Sequence, residues 1–310
     1  MAMVYDTMII GGGFSGLTAA IYSARAGLNT AVFEQKVWGG QITSTDKVEN
    51  YPGFENISGY ELTSKLTLQL KKLDITMKNE KVQKVDLLSK TKKVITDSGE
   101  YFGKTVIIAS GSSPKKAGFE GETEFVGRGV SYCATCDGAF YKGKEVFVVG
   151  GGNSAIQEAL YLSKIASKVN VVVRKNNFRC SEFLSEHIRN TKNAGIFYNT
   201  VISSVSGGDY IDCVKLYNSD SSKTTEYKAK NPPIGIFVFT GSSPNSNLFS
   251  KYISVDSGGY IISDENCKTN IDGVFVCGDI RTKSLRQLVT AASDGAAAAV
   301  AAEKYISVNE

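Results

Sequence analysis

Apolar residues fall in short runs along the N-terminal part of the chain, and a longer segment with helical spacing lies between two of them. The run Thr7 to Ile10 precedes a glycine-rich turn, helical spacing extends from about Gly16 to Ala26, and a second run covers Thr30 to Phe33. Short apolar runs bounded by glycine are typical of buried strands. The pattern therefore predicts a strand, a helix and a second strand, which together form a βαβ unit.

The same order of elements returns in the second half of the chain. A strand is predicted at Glu145 to Val149, a glycine turn begins at Gly150, a helix extends from Ala155 to about Ala166, and another strand covers Val169 to Val173. Gly150 lies 139 positions after Gly11, the first glycine of the first turn. Two such units predict an α/β fold with two Rossmann-like dinucleotide-binding domains.

A short sequence that occurs twice, Gly-Ser-Ser-Pro, indicates that one domain is inserted into the other. Gly111 to Pro114 follows the apolar strand Val106 to Ala109, and Gly241 to Pro244 follows the strand Ile236 to Phe239. Each Gly-Ser-Ser-Pro sequence is of the kind that ends a strand and begins a crossing to another element. The predicted division is a discontinuous domain, residues 1–113 and 246–310, and an inserted domain, residues 114–245.

Composition and charge are those of an ordinary globular protein. The 310 residues are 42% hydrophobic, which is enough for a large core and for two domains. The formal net charge is +4, and Lys and Arg are scattered among Asp and Glu, so nothing indicates a nucleic acid or a membrane as partner. No apolar run approaches the roughly 18 residues that a membrane helix needs, and no signal-peptide pattern is present, so we expect a cytoplasmic protein.

The first glycine turn carries the signals of a dinucleotide site. A turn between a strand and a helix lets the backbone approach a pyrophosphate, whose charge is favoured by the free N–H groups at the helix start. Glu34 lies about 20 residues further on, where a carboxylate accepts hydrogen bonds from ribose hydroxyls. An unphosphorylated adenosine ribose, as in FAD, fits this acid, and a turn that serves packing alone is the alternative. The predicted contacts are Gly11, Gly13, Phe14, Ser15, Gly16 and Glu34.

The second glycine turn lacks that carboxylate. Val173 occupies the position equivalent to Glu34, and three cations follow it. Replacing an acid by cations is what the 2′-phosphate of NADP requires, so the pattern favours NADPH over NADH. The alternative is that these cations belong to a solvated strand end. The predicted contacts are Gly150, Gly152, Asn153, Ser154, Ala155, Arg174, Lys175 and Arg179.

A pair of cysteines with two residues between them, Cys133 and Cys136, precedes the second turn. A zinc site would need two further Cys or His ligands at short spacing, but the chain has a single histidine, His187, and no second cysteine pair, so we expect no metal. Inert buried thiols are a second alternative. A CxxC pair at a helix start can form a reactive disulfide whose thiolate is stabilised by the helix N-terminus, and we favour this interpretation.

Asp137 follows the cysteine pair directly. Its negative charge would oppose formation of a thiolate unless the carboxyl carries a proton. A carboxyl group beside a dithiol is suited to protonating a leaving thiolate, and we therefore expect Asp137 to act as an acid. Capping of the local helix by the Asp137 side chain is the alternative.

The ordered set of motifs resembles the low-molecular-weight thioredoxin reductases along nearly the whole chain. No single motif would be specific for this family, whereas the full series in this order is. The matching motifs are Gly11 to Gly16, Gly39-Gly40-Gln41, Glu49 to Gly53, Cys133 to Asp137, Gly150 to Ala155, Gly278-Asp279, Arg286-Gln287 and Thr290-Ala291.

The resemblance implies an enzyme that passes electrons from NADPH through FAD to the cysteine pair and then to thioredoxin. It implies that the discontinuous domain holds FAD and that the inserted domain holds NADPH and the disulfide. In the family, Cys136 faces the flavin, Cys133 attacks the partner protein and Asp137 supplies the proton. The two crossings would be the strands about which the domains rotate, and the protein would be a homodimer. The further FAD contacts implied are Gly39, Gly40, Gln41, Asn50, Gly278, Asp279, Arg286 and Gln287.

One departure from the family bears on the electron donor. The family usually has His-Arg-Arg at the 2′-phosphate site, whereas this chain has Val173-Arg174-Lys175. The ammonium of Lys175 cannot make the bidentate phosphate contact that a guanidinium makes. Two enzymatic alternatives follow, namely the same scaffold with ferredoxin as donor or a small-dithiol oxidase. A non-enzymatic flavin or zinc module that senses redox state is a third.

Overall fold

The computed structural model describes residues 3–45, 48–230 and 232–309, and within these ranges it leaves out the side chains of Ser44, Thr135 and Cys136. The chain divides into two compact units. One unit consists of Met1–Ser113 with Ser243–Glu310, and the other consists of Pro114–Ser242.

The first part of the discontinuous unit begins with the βαβ pattern that the sequence predicts. The helix after the first glycine turn is Phe14–Arg25, which starts two residues earlier than the spacing suggests because the turn itself enters the helix. The elements in chain order are β1 Val4–Ile10, α1 Phe14–Arg25, β2 Thr30–Phe33, α2 Gly59–Leu70, β3 Ile75–Lys78, β4 Val82–Asp86, β5 Lys92–Thr96, β6 Glu100–Ile108 and β7 Ser112–Pro114.

The inserted unit contains the second βαβ pattern between short loops. The helix that follows the second glycine turn starts at Asn153, two residues before the predicted start at Ala155. The elements are β8 Val130–Ser131, α3 Ala134–Asp137, β9 Glu145–Val149, α4 Asn153–Ser163, β10 Lys168–Val172, α5 Glu182–Arg189, β11 Ala194–Phe197, β12 Thr200–Gly207, β13 Ile211–Asn218, β14 Lys223–Lys228 and β15 Gly235–Val238.

The last segment returns to the discontinuous unit. Its long helix carries the alanine run of the sequence, and small side chains let it approach α1 closely, since a Cβ on Gly295 would collide with the backbone oxygen of Ser15. Of the helices in the described ranges, none has the length and apolar character that a bilayer span needs. The elements are β16 Ser242–Pro244, β17 Val274–Val276 and α6 Leu288–Asn309.

The main sheet of the discontinuous unit has the strand order β3-β2-β1-β6-β5-β4, and β17 also pairs with β6. The strands β3, β2, β1, β6 and β17 run parallel, as expected when helices connect them. Alternate residues of β1 point to opposite faces: Met8 and Ile10 enter one buried cluster, and Ile9 enters another with Leu17 of α1 and Ala298 of α6. The first glycine turn therefore lies at the carboxyl edge of a sheet that is covered on both faces.

The inserted unit repeats this architecture with a parallel sheet of order β11-β10-β9-β15-β8. A separate antiparallel sheet of order β12-β13-β14 covers one face. On the other face, Val146 and Val148 of β9 pack against Ala155 and Ile156 of α4. The prediction of an α/β fold with two Rossmann-like domains is confirmed.

Candidate active site

The first glycine turn joins β1 to α1 through backbone geometry that glycine alone tolerates. Gly11 has a φ of +111°, and a Cβ at this position would collide with the backbone of Ala109 on the neighbouring strand. Around Gly13, by contrast, a Cβ would meet nothing within 4 Å. The turn therefore packs against Ala109 at Gly11 and is open at Gly13, where a phosphate could approach the start of α1.

Glu34 follows β2 and lies directly beside this turn. Its Oε2 accepts a hydrogen bond from the backbone N–H of Gly12 at 2.7 Å, and its Oε1 accepts one from the N–H of Lys36 at 2.8 Å. These bonds fix the carboxylate in one orientation, with lone pairs of both oxygens still available for hydroxyl donors. Gly12, which the sequence analysis did not single out, is the residue that positions Glu34.

A second loop completes the surroundings of the first turn. The N–H of Gly39 donates to the carbonyl of Gly12 at 2.8 Å, so residues 39 and 40 lie next to the glycine turn. The side-chain amide of Gln41 donates to the carbonyl of Ser112. Further along, the amide of Asn50 donates to the side-chain oxygen of Gln287 at 3.0 Å. The structure thus brings these predicted contacts into the same unit as the first turn.

The end of β17 brings another group of predicted residues to α1. A Cβ on Gly278 would collide with the hydroxyl of Ser15, so this position also requires glycine. Asp279 is partly buried, and its Oδ1 is shielded from solvent without a hydrogen-bond partner. Burial raises the pKa of Asp279, and the cations Lys283 and Arg286 oppose that shift. Arg286 itself stacks over the ring of Tyr260, with its guanidinium carbon 4.0 Å from the ring centroid.

A buried acid that the motifs did not reveal holds this segment in place. Asp294 of α6 accepts from the N–H of Gly278 at 3.1 Å, from Arg281 at 3.0 Å and from Lys283 at 2.7 Å. The Asp294 side chain is 11% exposed, so these three donors offset the cost of burying its charge. The available sequence signal was an acid at the start of an alanine run, which spacing alone does not link to a site.

These features together fit a flavin dinucleotide. An unpartnered buried carboxylate oxygen at Asp279 calls for a hydroxyl donor, which the sugar-alcohol chain of a flavin possesses. The open glycine turn suits a pyrophosphate, and the fixed carboxylate of Glu34 suits a ribose. The residues present therefore fit FAD.

The second glycine turn reproduces the first in its backbone. Gly150 has a φ of +145°, and a Cβ there would lie 2.5 Å from the carbonyl oxygen of Phe239. Around Gly152 a Cβ would meet nothing within 4 Å, and no side chain caps the start of α4 at this residue. The oxygen of Asn153 accepts from the N–H of Ser181 at 2.9 Å, which ties the start of α4 to the loop after β10.

That loop carries the predicted cations. The N–H of Arg179 donates to the carbonyl of Gly151 at 2.6 Å, so the residue lies against the turn, and its side chain is exposed. Arg174 and Lys175 are exposed as well, and within the described ranges no carboxylate lies at ion-pair distance from any of the three. Val173 is buried against Gly151. The second turn thus offers three available cations and no carboxylate.

The cysteine pair lies at the start of the short helix α3, with Cys133 directly before it and Cys136 within it, in the same unit as the second turn. Cys133 is disulfide-bonded, and the first turn of α3 closes with a bond from the N–H of Asp137 to the carbonyl of Cys133 at 3.2 Å. The Asp137 side chain forms no cap bond to the turn that follows. The roles expected for the Cys136 sulfur fall on a side chain outside the described residues.

The remaining described cysteines, Cys180, Cys213, Cys267 and Cys277, are free thiols. Burial raises the pKa of Cys267 to about 11 and raises the pKa of Cys277 further. Burial also raises the pKa of Cys180. These three thiols are protonated at neutral pH and are poor nucleophiles, whereas Cys133 is disulfide-bonded.

Comparison with known proteins extends the likeness to the whole chain. Residues 5–295 match the family described as pyridine nucleotide-disulphide oxidoreductase. A thioredoxin reductase from Peptoclostridium acidaminophilum is 44% identical over 312 residues, which cover 100% of this chain and 99% of the relative.

Two solved structures are similar throughout. The crystal structure of thioredoxin reductase from Streptococcus pyogenes MGAS5005 superposes with a TM-score of 0.88 at 38% identity, covering 99% of this chain and 100% of the other. A ferredoxin-flavin thioredoxin reductase from Clostridium acetobutylicum superposes with a TM-score of 0.53 at 31% identity, with 98% of each chain covered.

Proposed function

Since the chain belongs to the low-molecular-weight thioredoxin reductases of the pyridine nucleotide-disulphide oxidoreductase family, we propose that it carries electrons from NADPH through FAD and a Cys133–Cys136 disulfide to thioredoxin. The resemblance that the motifs indicated is confirmed, and with it the expectation of an oxidoreductase that reduces a thioredoxin-type disulfide. The particular dinucleotides and the roles of individual residues are our proposal.

We place FAD at the first turn. Backbone N–H groups from residues 13–16 would face the pyrophosphate, Glu34 would accept from the adenosine ribose, and Asp279 would accept a hydroxyl of the flavin side chain. Asp294 would keep Gly278 and Lys283 in place beneath that contact. When bound, FAD supplies a two-electron carrier between a nicotinamide and a disulfide.

We place NADPH at the second turn. The open space above Gly152 and the uncapped start of α4 support a pyrophosphate there. Arg174, Lys175 and Arg179 would surround a 2′-phosphate, since no carboxylate of the described residues engages them. Val173 would contribute packing only.

Thiol exchange with thioredoxin uses groups of this chain. Once the disulfide is reduced by two electrons, the Cys133 thiolate attacks one sulfur of the thioredoxin disulfide, so a mixed disulfide forms and a thioredoxin thiolate leaves. Asp137 supplies a proton to that leaving thiolate. The Cys136 thiolate then attacks the Cys133 sulfur, which re-forms the internal disulfide and releases the second thioredoxin thiolate. Two electrons thereby pass to thioredoxin, which ends as a dithiol once its second thiolate takes a proton from water.

The observation that carries this proposal is the disulfide-bonded Cys133 in the same compact unit as an open, carboxylate-free glycine turn. The test is to mix purified protein with NADPH and oxidised thioredoxin and to count new thioredoxin thiols. We expect turnover in the wild type and none in Cys133→Ser, which can no longer attack the partner. Equal turnover by Cys133→Ser would contradict the proposal.

Reduced ferredoxin is the second candidate donor. It is favoured by the loss of the family's histidine at Val173 and by the likeness to a protein described as a ferredoxin-flavin thioredoxin reductase. If ferredoxin is the donor, removing the cations around the second turn will leave thioredoxin reduction by ferredoxin unchanged.

A further inference from the structure

The backbone of Cys133 is held on both sides by the hydroxyl of Ser131. Ser131 ends β8 and is 5% exposed. Its Oγ accepts from the N–H of Cys133 at 3.0 Å and donates to the carbonyl of Cys133 at 3.2 Å. One buried side chain thus fixes both peptide groups that flank the Cys133 Cα.

Tyr132, which lies between Ser131 and Cys133 in the chain, is held by a different side chain, that of Glu122. The hydroxyl of Tyr132 donates to Oε1 of Glu122 at 2.9 Å. Glu122 is 2% exposed, and its carboxylate also accepts from the N–H groups of Ala117 at 2.9 Å and Gly118 at 2.6 Å. Burial, reinforced by Glu122, raises the pKa of Tyr132, so the phenol remains a donor across the physiological range.

These bonds matter because the secondary-structure elements on either side of Cys133 are short. The helix α3 has four residues and begins only after Cys133, and an isolated single turn is not stable by itself. β8, which precedes it, is two residues long. A closed disulfide restrains this segment, but its restraint disappears when the disulfide opens.

We propose that Ser131, Tyr132 and Glu122 are positioning residues that keep Cys133 in its attacking position while the disulfide is open. The inference rests on the proposed function, in which Cys133 is the sulfur that attacks thioredoxin. All these bonds join hydroxyl, carboxylate and backbone atoms, so breaking the sulfur–sulfur bond removes none of their donors or acceptors. They act at the step at which the Cys133 thiolate must meet an external sulfur.

The experiment compares Ser131→Ala and Tyr132→Phe with the wild type in flavin-loaded protein. Ser185→Ala is the matched control, because Ser185 is also buried in the inserted unit and its hydroxyl also donates to a backbone carbonyl, that of Glu182. The readouts are kcat and KM for oxidised thioredoxin, the rate of flavin reduction by NADPH, and the alkylation rate of Cys133 by iodoacetamide in protein reduced with dithiothreitol.

Tyr132→Phe, which loses one hydrogen bond, should lower kcat/KM for thioredoxin and slow alkylation of Cys133 by about three- to tenfold. Ser131→Ala, which loses two hydrogen bonds, should lower both rates by at least as much. Flavin reduction by NADPH should be unchanged, and Ser131→Thr, which keeps the hydroxyl, should restore the rates. Wild-type rates in both variants, or an equal loss in Ser185→Ala, would overturn the proposal.

The two proposals fail in different ways. If the wild type does not reduce thioredoxin, the proposed function fails, but alkylation of the dithiothreitol-reduced protein still measures whether Ser131 and Tyr132 position Cys133. If Ser131→Ala does not fold, Tyr132→Phe and Glu122→Gln test the same arrangement through the hydrogen bond between Tyr132 and Glu122. Unchanged alkylation in both of these variants would overturn it.

Discussion

The two glycine turns share a backbone geometry and contact different side chains at the end of the second strand of each unit. Gly11 and Gly150 both have positive φ, and each lies against the backbone of the adjacent strand, at Ala109 and at Phe239 respectively. In both βαβ units the parallel register brings the last residue of the first strand beside the last residue of the second. Both turns are open where a phosphate would approach.

The difference lies just after the second strand of each unit. At the first turn, a Cβ on Gly12 would lie 2.8 Å from the Cβ of Glu34, and at the second turn a Cβ on Gly151 would lie 2.8 Å from Cγ1 of Val173. The same location therefore holds a fixed carboxylate in one unit and a buried methyl group in the other.

We infer from this comparison that the glycine turn suits a dinucleotide and that the following side chain determines which dinucleotide binds. A carboxylate accepts from ribose hydroxyls and repels a 2′-phosphate, whereas an apolar residue followed by available cations permits that phosphate. Three of the substitutions that follow alter this side chain or the cations beside it, and the fourth alters Asp279.

Removing the carboxylate at the first turn should have the largest effect. Glu34→Ala removes two ribose contacts to a charged group, each worth roughly 1.5 to 3 kcal/mol, and leaves the Gly12 N–H without its acceptor. We expect FAD affinity to fall by at least about a hundredfold. Flavin retained after dilution and filtration measures this, and the surface substitution Glu100→Ala is the control. Full retention by Glu34→Ala would place the adenosine elsewhere.

Placing a carboxylate at the second turn should make it resemble the first. Val173→Glu puts a negative charge where a 2′-phosphate would lie, so the preference for NADPH over NADH should fall by about thirtyfold, or about 2 kcal/mol. The ratio of the two Kd values, measured by flavin reduction, gives the answer. Retained reduction by NADH shows that the variant is folded, and an unchanged ratio would mean that Val173 is remote from the ribose.

Removing one cation should have a smaller effect. Arg174→Ala should weaken NADPH by about tenfold, which corresponds to one charge-assisted hydrogen bond, and should leave NADH unaffected. The exposed Lys192→Ala, outside the loop, is the control. Equal losses for both nucleotides would indicate a contact to the pyrophosphate instead.

The smallest expected effect concerns Asp279, which has no counterpart among the predicted contacts of the second turn. Burial raises the pKa of this carboxyl in the folded protein, so its contribution to stability is full below its ordinary pKa and is lost as pH rises through the raised value. In flavin-free protein, Asp279→Asn should therefore have a higher Tm than the wild type above that range and the same Tm below it. A difference independent of pH would contradict this assignment.

The sequence predicted the parts of this site that local pattern determines. Strand and helix periodicity fixed both βαβ units, and glycine with a following Glu34 or Val173 marked both turns. It did not reveal Asp294, because that acid meets Gly278 and Lys283 only through the packing of α6. Nor did it reveal the contact of Glu122 with Tyr132, since a carboxylate in a loop has no periodic signal.

Anaerobic titration of the flavin-loaded protein with NADPH, NADH and reduced ferredoxin in parallel tests the central claim that the two turns hold different dinucleotides. We expect NADPH to bleach the flavin at lower concentration than NADH, with ferredoxin not required. If neither nucleotide reduces the flavin at millimolar concentration and reduced ferredoxin does, the second turn does not receive the electron donor and the account is wrong.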